Sequence, residues 1–550
     1  MLKSANSRLG GHVLAEQLLI QGVDTVFTVP GESYMGLLDG LYDHRDAITV
    51  ITARHESGAS NMADAYAKLS GKPGICAVSR GPGATNATNG LHSSFQDSTP
   101  VILLIGQVPR GERGREAQQE VNHIDLFRPL AKWVIEIDSP DRIPEHVSHA
   151  FHVCQSGRPG PVVLVLPEDM LVEQTNVANA RRVRLLETAV PERVADEIKE
   201  RLQKAQRPLV LVGGPTWTQE AIDDMTKFVE DNGLPVLTSY RAQDRFDNRN
   251  DHYVGHCRYN ERADLITASD LVIAAGPRLG QVTTAGYSLL DVPNPKQTLI
   301  HAHPSPDELG SVYAPDLAVS CTMPVLAKTL AGIEPVGGAA WKGWLSSARS
   351  EYLESIKPTS MSGDVNLSQI ICWLSKTLPD DAIMINGSGN NSGWVHRFYQ
   401  FRGLGSQLVT TSGSMGYAVP AAVSASYLYP DRDVVSVNGD GCFMMLGQEM
   451  ATAVQYGLKP IFIVVNNAML ATIRMHQERD FPGRVVGTDL VNPDFAGLGR
   501  NYGAHAETVR RTEEFSPAFE RARASGKMSL IEVFIDRNVL TPVLELGANI

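Results

Sequence analysis

This sequence predicts an α/β protein of three doubly wound parallel-sheet domains, on three observations. Short apolar runs rich in Val, Ile and Leu recur along the chain, separated by stretches with helical spacing. Residues 432–467, RDVVSVNGDGCFMMLGQEMATAVQYGLKPIFIVVNN, spell one complete βαβ unit. A length of 550 residues, 43% apolar and 20% charged, fits a globular chain of about three domains.

The βαβ unit is the most informative stretch. Asp433–Val437 and Pro460–Val465 read as strands, Asn438-Gly439-Asp440-Gly441 breaks the first of them, and Phe443–Tyr456 carries helical spacing. In an open parallel sheet ligands sit beyond the carboxyl ends of the strands, where Asp440 and the Asn466-Asn467 pair both fall. Gly439 and Gly441 let backbone approach a ligand, and the following helix start offers free N–H groups to a phosphate. Asp440, an amide oxygen of Asn467 and phosphate oxygens would form an oxygen-only shell suited to Mg²⁺. By itself Asp-Gly is turn chemistry; the second anchor, 467 − 440 = 27 positions on, turns the pattern toward a cofactor site.

Composition narrows the function. The net charge is −12 and no basic stripe marks a nucleic-acid surface, so a small polar substrate is expected. Apolar runs such as Pro161–Pro167 and Ile461–Val465 are far shorter than the ~18 residues of a spanning helix. The N-terminal stretch MLKSANSRLGGHVLAEQLLIQG reads as an amphipathic helix rather than a signal peptide, which predicts a cytoplasmic protein. Cys76, Cys154, Cys257, Cys321, Cys372 and Cys442 lack CxxC spacing and are expected free and mostly buried.

In the first domain Val26–Val29, Ile48–Thr52, Ile75–Ser79, Val101–Ile105 and Val162–Leu166 read as strands, ending near residue 180. Gly81-Pro82-Gly83-Ala84-Thr85-Asn86 follows the third of these; without a P-loop Lys it reads as a strand-to-helix turn or a phosphate loop. Glu56 stands where strand Ile48–Thr52 gives way to helix Ser57–Leu69, a position that a dipole-favoured carboxylate would occupy in any case. The polar segment 180–206 separates a second domain, in which Pro208–Gly214, Leu234–Ser239, Leu271–Gly276 and Gln297–His303 read as strands. Residues 335–365, with GGAA and PTSMSGD, read as a linker to the third.

Four stretches, HVLAEQLLIQGVDTVFTVPGES, RHESGASNMADAYAKLSGKPGICAVSRGPGATN, DSTPVILLIGQVP and SGRPGPVVLVLPEDM, resemble in order and spacing the pyrimidine-binding domain of acetolactate synthases. From Asn386-Gly387-Ser388-Gly389 through Gly413-Ser414-Met415-Gly416 to GDG…NN, the last third resembles their diphosphate-binding domain. The resemblance covers essentially the whole chain. It implies a pyrimidine-binding domain over 1–180, a central Rossmann-like domain over 190–335 and a diphosphate-binding domain over 360–550.

It further implies thiamine diphosphate and Mg²⁺ as cofactors, with Glu56 as the catalytic glutamate on the aminopyrimidine N1′. That role requires a carboxylic acid sharing a proton with a weakly basic ring nitrogen away from water; Gln would keep the geometry and not the proton. Gly389, Asn390 and Asn391 match the loop that holds the diphosphate, with Gly439, Gly441 and Cys442 beside it. Gly413 and Met415 match the positions that meet the pyrimidine, Met415 also wedging the two cofactor rings apart. Asp440, Asn467 and the Met469 carbonyl match the metal ligands. The resemblance implies at minimum a homodimer, commonly a dimer of dimers, with the active site at the subunit boundary.

Several positions depart from the family pattern. Gln118-Gln119-Glu120 stands for Phe-Gln-Glu, so Gln119 is kept; His476 falls on the substrate-gating Trp; Glu32 replaces a Gly and Arg80 a Ser. Together they predict a pocket for a more polar or hydroxylated substrate. His92, on the helix after GPGATN, is a weaker candidate. The family often carries FAD in the central domain. Gly276-Pro277-Arg278 and Thr283-Thr284 match one flavin-contacting stretch, whereas His256-Cys257-Arg258-Tyr259 replaces Met-His-Gly-Thr and Glu168 replaces a Lys, so a flavin-bearing and an empty central domain both stand.

The reaction implied is decarboxylation of a 2-oxo acid and ligation of the remaining fragment to a second carbonyl. Alternatives are a lyase or hydrolase acting on a ketone or diketone, a non-ligating decarboxylase, and a catalytically silent cofactor-binding paralogue. The joint presence of Glu56, Asp440 and Asn467 argues against the last.

Overall fold

A computed structural model describes residues 7–185, 188–257, 262–337 and 340–547. Three six-stranded parallel sheets follow one another along the chain, as the sequence predicts. The first holds β1 (Thr25–Thr28), β2 (Thr49–Thr52), β3 (Gly74–Val78), β4 (Val101–Gln107), β5 (Trp133–Glu136) and β6 (Val162–Pro167), in the order β2-β1-β3-β4-β6-β5. The second holds β7 (Pro208–Val212), β8 (Val236–Thr238), β9 (Tyr253–His256), β10 (Leu271–Ala275), β11 (Thr298–His303) and β12 (Leu317–Ser320), in the order β9-β8-β7-β10-β11-β12. The third holds β13 (Ile383–Asn386), β14 (Gln407–Leu408), β15 (Val434–Gly439), β16 (Ile461–Asn466), β17 (His505–Val509) and β18 (Ser529–Phe534), in the order β14-β13-β15-β16-β18-β17.

The first and third sheets therefore repeat one strand order, while the central one follows the 3-2-1-4-5-6 order of a dinucleotide-binding fold. In the repeated order the winding reverses between β1 and β3, and again between β13 and β15. Crevices open at such reversals, beyond the carboxyl ends of the strands. The inner strands are continuous Val/Ile/Leu runs, such as fully buried β6 (VVLVLP) and β16 (IFIVVN), because helices cover both faces.

Some boundaries differ from the sequence reading. No break interrupts residues 438–441: β15 runs to Gly439 in register with Val465, and a helix starts directly at Asp440. The helical stretch after it is two short helices, Asp440–Leu446 and Met450–Gln455, joined by the 3₁₀ turn Gly447–Glu449. The polar segment near 180–206 contains helix Glu192–Lys204, whose Val194, Ile198 and Leu202 enter the central core. Within 335–365, helix Lys342–Ser355 packs Tyr352 into that same core beside Trp341.

By packing, the chain up to Leu186 forms one compact unit with Gly416–Pro430 and Met444–Lys459; the remainder forms a second. In the first unit, helix Glu56–Ser70 starts on His55, whose Nδ1 accepts from the Ser57 N–H at 3.1 Å, and stops at Gly71 with φ +70°. Glu449 reaches the same helix start. Its carboxylate accepts from the amides of Arg54 (3.1 Å) and His55 (3.0 Å) and from the Thr452 hydroxyl (2.6 Å). Burial pushes the Glu449 carboxyl above its ordinary range, although these donors pull it back. A Cβ on Gly58 would lie 2.2 Å from Glu449 Oε1, so glycine there is a packing requirement.

Candidate active site

The reversal in the first sheet gathers one set of functional side chains. Glu56 is half-buried at the first turn of its helix, and its Oε2 accepts from Asn86 Nδ2 at 2.9 Å. Gly83, one turn before Asn86, leaves the space the carboxylate uses: a Cβ there would stand 3.3 Å from Glu56 Oε1 and 3.5 Å from Ser79 Cβ. Gly83→Ala is thus expected to fold normally while displacing Glu56 and lowering turnover about 10- to 100-fold, checked by steady-state rates beside a circular dichroism melt. Gln119 is exposed with φ +63°, and its carbonyl lies 2.7 Å from where a Cβ of Gly81 would be, which brings the Gln118-Gln119-Glu120 loop to the GPG turn. Glu120 secures that loop by accepting from the amides of Gly114 (2.8 Å) and Ala117 (3.1 Å).

The departures at 32, 80 and 168 converge. Arg80 is buried, with Nη1 donating to Glu168 Oε2 at 2.7 Å and Nη2 to Glu32 Oε1 at 3.4 Å. Each looked independent in the sequence; in space they form one charged triad beyond β1, β3 and β6. His92 is exposed on its helix. His476 is exposed on helix Ala471–Asp480 and does not line the cavity that its neighbours Ala471, Thr472 and Ile473 line.

That cavity, of about 240 Å³, lies at the reversal of the third sheet. Ser388, Gly389, Asn390 and Asn391 border it after β13, Gly439 to Cys442 after β15, and Asn467 and Met469 after β16; Gly413 and Met415 also line it. Asn390 Oδ1 accepts from Thr472 Oγ1 at 2.8 Å, tying the loop to helix Ala471–Asp480. Gly389 has φ +125°, and a Cβ there would meet Asn391 Oδ1 at 3.0 Å. A Cβ on Gly441 would meet Leu470 Cδ2 at 2.7 Å and Met415 Cε at 3.7 Å, so an added carbon there would push the Leu470 side chain aside.

These residues fit a diphosphate and a hard cation. Asn391 Nδ2 and Trp394 Nε1 are buried donors on the cavity wall with no hydrogen-bond partner among the described residues, and phosphate oxygens are acceptors. Asp440 is buried, and desolvation pushes its carboxyl upward against the donors that hold it. Among the described residues no three His, Cys, Asp or Glu cluster as a metal site. The available set is one carboxylate with amide and carbonyl oxygens, which suits Mg²⁺ because that ion keeps phosphate and water ligands.

The sequence reading missed what supports this set. Asn492 Nδ2 donates to Asp440 Oδ2 at 2.7 Å and to Asn466 Oδ1 at 2.9 Å, and Asn466 Nδ2 donates to Glu532 Oε1 at 2.8 Å. The one available signal was Glu532 itself, a charge inside the apolar run SLIEVF of β18.

Arg278 is ion-paired to Glu308 at 2.9 Å, Thr284 is spent on the Gly280 carbonyl, and the space beside Arg278, Tyr287 and His301 is about 80 Å³. Of the His256-Cys257-Arg258-Tyr259 stretch, Arg258 and Tyr259 lie outside the described residues. None of the six cysteines is in a disulfide; Cys372 is half-buried and the others are buried. No described helix is long and apolar enough to cross a membrane.

Comparison with known proteins agrees with this geometry. Residues 8–126 match the thiamine pyrophosphate enzyme N-terminal TPP binding domain, 195–330 the central domain and 387–533 the C-terminal TPP binding domain. Acetolactate synthase of Mycobacterium bovis is 30% identical over 96% of this chain and 88% of its own length. The acetolactate synthase large subunit of Corynebacterium glutamicum is 30% identical over 96% and 86%, and the isozyme 2 large subunit of Escherichia coli 28% identical over 98% of each chain. With all three domains in order and relatives of this kind along its length, the chain belongs to the thiamine pyrophosphate enzymes, in their acetolactate synthase-like group.

Proposed function

We propose that this protein is a thiamine diphosphate- and Mg²⁺-dependent carboligase that decarboxylates a 2-oxo acid and joins the remaining fragment to a second carbonyl. The observation that carries the reading is Glu56, half-buried, oriented by Asn86 and given room by Gly83. It stands in a chain whose relatives bear the name acetolactate synthase.

Thiamine diphosphate, when bound, supplies a carbon nucleophile and an electron sink. Glu56 moves a proton to and from the aminopyrimidine N1′, and Asn86 keeps its carboxylate aimed. Asp440, the Asn467 side-chain oxygen and the Met469 carbonyl hold Mg²⁺, while Gly389 to Asn391 and Cys442 hold the diphosphate. Gly413 and Met415 seat the pyrimidine. Gln119 stands at the substrate side, and the Glu32–Arg80–Glu168 triad supports a polar or hydroxylated substrate, since a pocket of paired charges discriminates against apolar groups. His476, exposed on helix Ala471–Asp480, stands on the substrate side. The working form is a cytoplasmic homodimer or dimer of dimers, each site completed across the subunit boundary.

The purified protein, loaded with thiamine diphosphate and Mg²⁺, would be incubated with pyruvate, glyoxylate and hydroxypyruvate in turn, following CO₂ and identifying the carbon product. A 2-hydroxyketone larger than the donor fragment confirms a carboligase and names its donor. Free aldehyde alone marks a decarboxylase, and no turnover redirects the reading to cleavage of a ketone or diketone.

A further inference from the structure

The hydrogen bonds around Asp440 are uneven. Oδ2 accepts from the Ala468 amide at 2.8 Å and from Asn492 Nδ2 at 2.7 Å, which uses both of its lone pairs. Oδ1 accepts from the Gly441 amide at 2.8 Å, and the Asn467 amide also bears on the carboxylate, but no side chain caps that oxygen among the described residues. Asn492 arrives from outside the βαβ unit, 52 positions after Asp440, and spends its second N–H on Asn466 Oδ1 at 2.9 Å. Asn466 is itself fixed to Glu532 Oε1 at 2.8 Å, and Glu532 is buried in β18. A run of hydrogen bonds thus leads from a rigid inner strand to one specific oxygen of Asp440.

We propose that Asn492 is a positioning residue that restricts Asp440 to one-oxygen coordination and thereby sets the metal preference of the site. With Oδ2 capped by both the Ala468 amide and the Asn492 side chain, Oδ1 is the oxygen turned over to a cation. That arrangement suits Mg²⁺, which is small and demands near-octahedral single contacts, and disfavours Ca²⁺, which accepts carboxylates through both oxygens and takes more ligands. Loss of the Asn492 amide frees Oδ2, lets the carboxylate turn, and removes a hydrogen bond to a charged group. The inference rests on Asp440 being the metal ligand.

The test is calorimetric titration of thiamine diphosphate into the full-length apo-protein over a range of Mg²⁺ and, separately, Ca²⁺ concentrations, for wild type, Asn492→Ala and Asp440→Ala. Asn492→Ala is expected to need about 10- to 100-fold more Mg²⁺ for half-saturation, with Ca²⁺ much less affected, so that the preference for Mg²⁺ collapses. Equal weakening with both metals, or no change with either, overturns the proposal when Asp440→Ala has lost metal-dependent binding. Retention of metal dependence in Asp440→Ala overturns the ligand assignment itself, and the proposal with it. Should Asn492→Ala fail to fold, Asn492→Gln, which keeps the amide on a longer arm, is expected to show the same loss of preference.

Discussion

Glu56→Gln is expected to lower turnover about 10²- to 10⁴-fold, the usual share of a positioned proton carrier, while leaving thiamine diphosphate binding within a few-fold of wild type. The substitution is nearly isosteric, so the Asn86 contact at 2.9 Å and the clearance at Gly83 are retained. Only the exchangeable proton is lost. Single-turnover rates with the best 2-oxo acid, set beside cofactor titration, separate the two effects: a fall in kcat with binding intact supports the assignment. Wild-type turnover in Glu56→Gln would remove Glu56 from the chemistry.

Asp440→Ala is expected to weaken Mg²⁺-dependent cofactor binding by at least about 100-fold, since even residues behind a metal ligand typically contribute 10- to 100-fold. In the apo-protein two effects oppose, and stability is expected to change little. In the absence of metal Asp440 is a buried carboxylate whose desolvation is only partly offset by the Gly441, Ala468 and Asn492 donors. Removing it relieves that cost but leaves those N–H groups without their acceptor. Differential scanning fluorimetry with and without thiamine diphosphate and Mg²⁺ reads both quantities, and an unchanged cofactor-induced rise in Tm would sink the metal assignment.

How much of this was legible in the sequence depends on the range of the contact. Asp440 and Asn467 could be read because a βαβ unit is local, and adjacent β15 and β16 put both at one sheet edge. Glu449 could not, since its partners Arg54 and His55 lie 395 and 394 positions away and no pattern within QEMATAV announces them. Arg80, Glu32 and Glu168 were each visible as departures, but their mutual pairing depends on how β1, β3 and β6 are ordered in space. The strands not read were those without a continuous apolar run: the edge strands β5, β9 and β12, the short outer β14, β17 with its polar start, and β18, interrupted by Glu532. Edge strands β5 and β12 are only partly buried, so few of their positions need be apolar. His476 was legible only through its family position, since nothing in helix Ala471–Asp480, where it is exposed, singles it out.

The compact unit of the first domain includes Met444–Lys459, with Glu449 on the start of the Glu56 helix. This has a consequence for synthesis on the ribosome. The first continuous segment ends at Leu186, but its last component emerges with Lys459, 459 − 186 = 273 residues later. At about 5–20 residues per second, the amides of Arg54 and His55 wait some tens of seconds for their acceptor, and the nascent first domain carries an uncovered helix face throughout. Chaperone capture is therefore expected to peak while the central domain is being translated and to end as the chain passes Lys459.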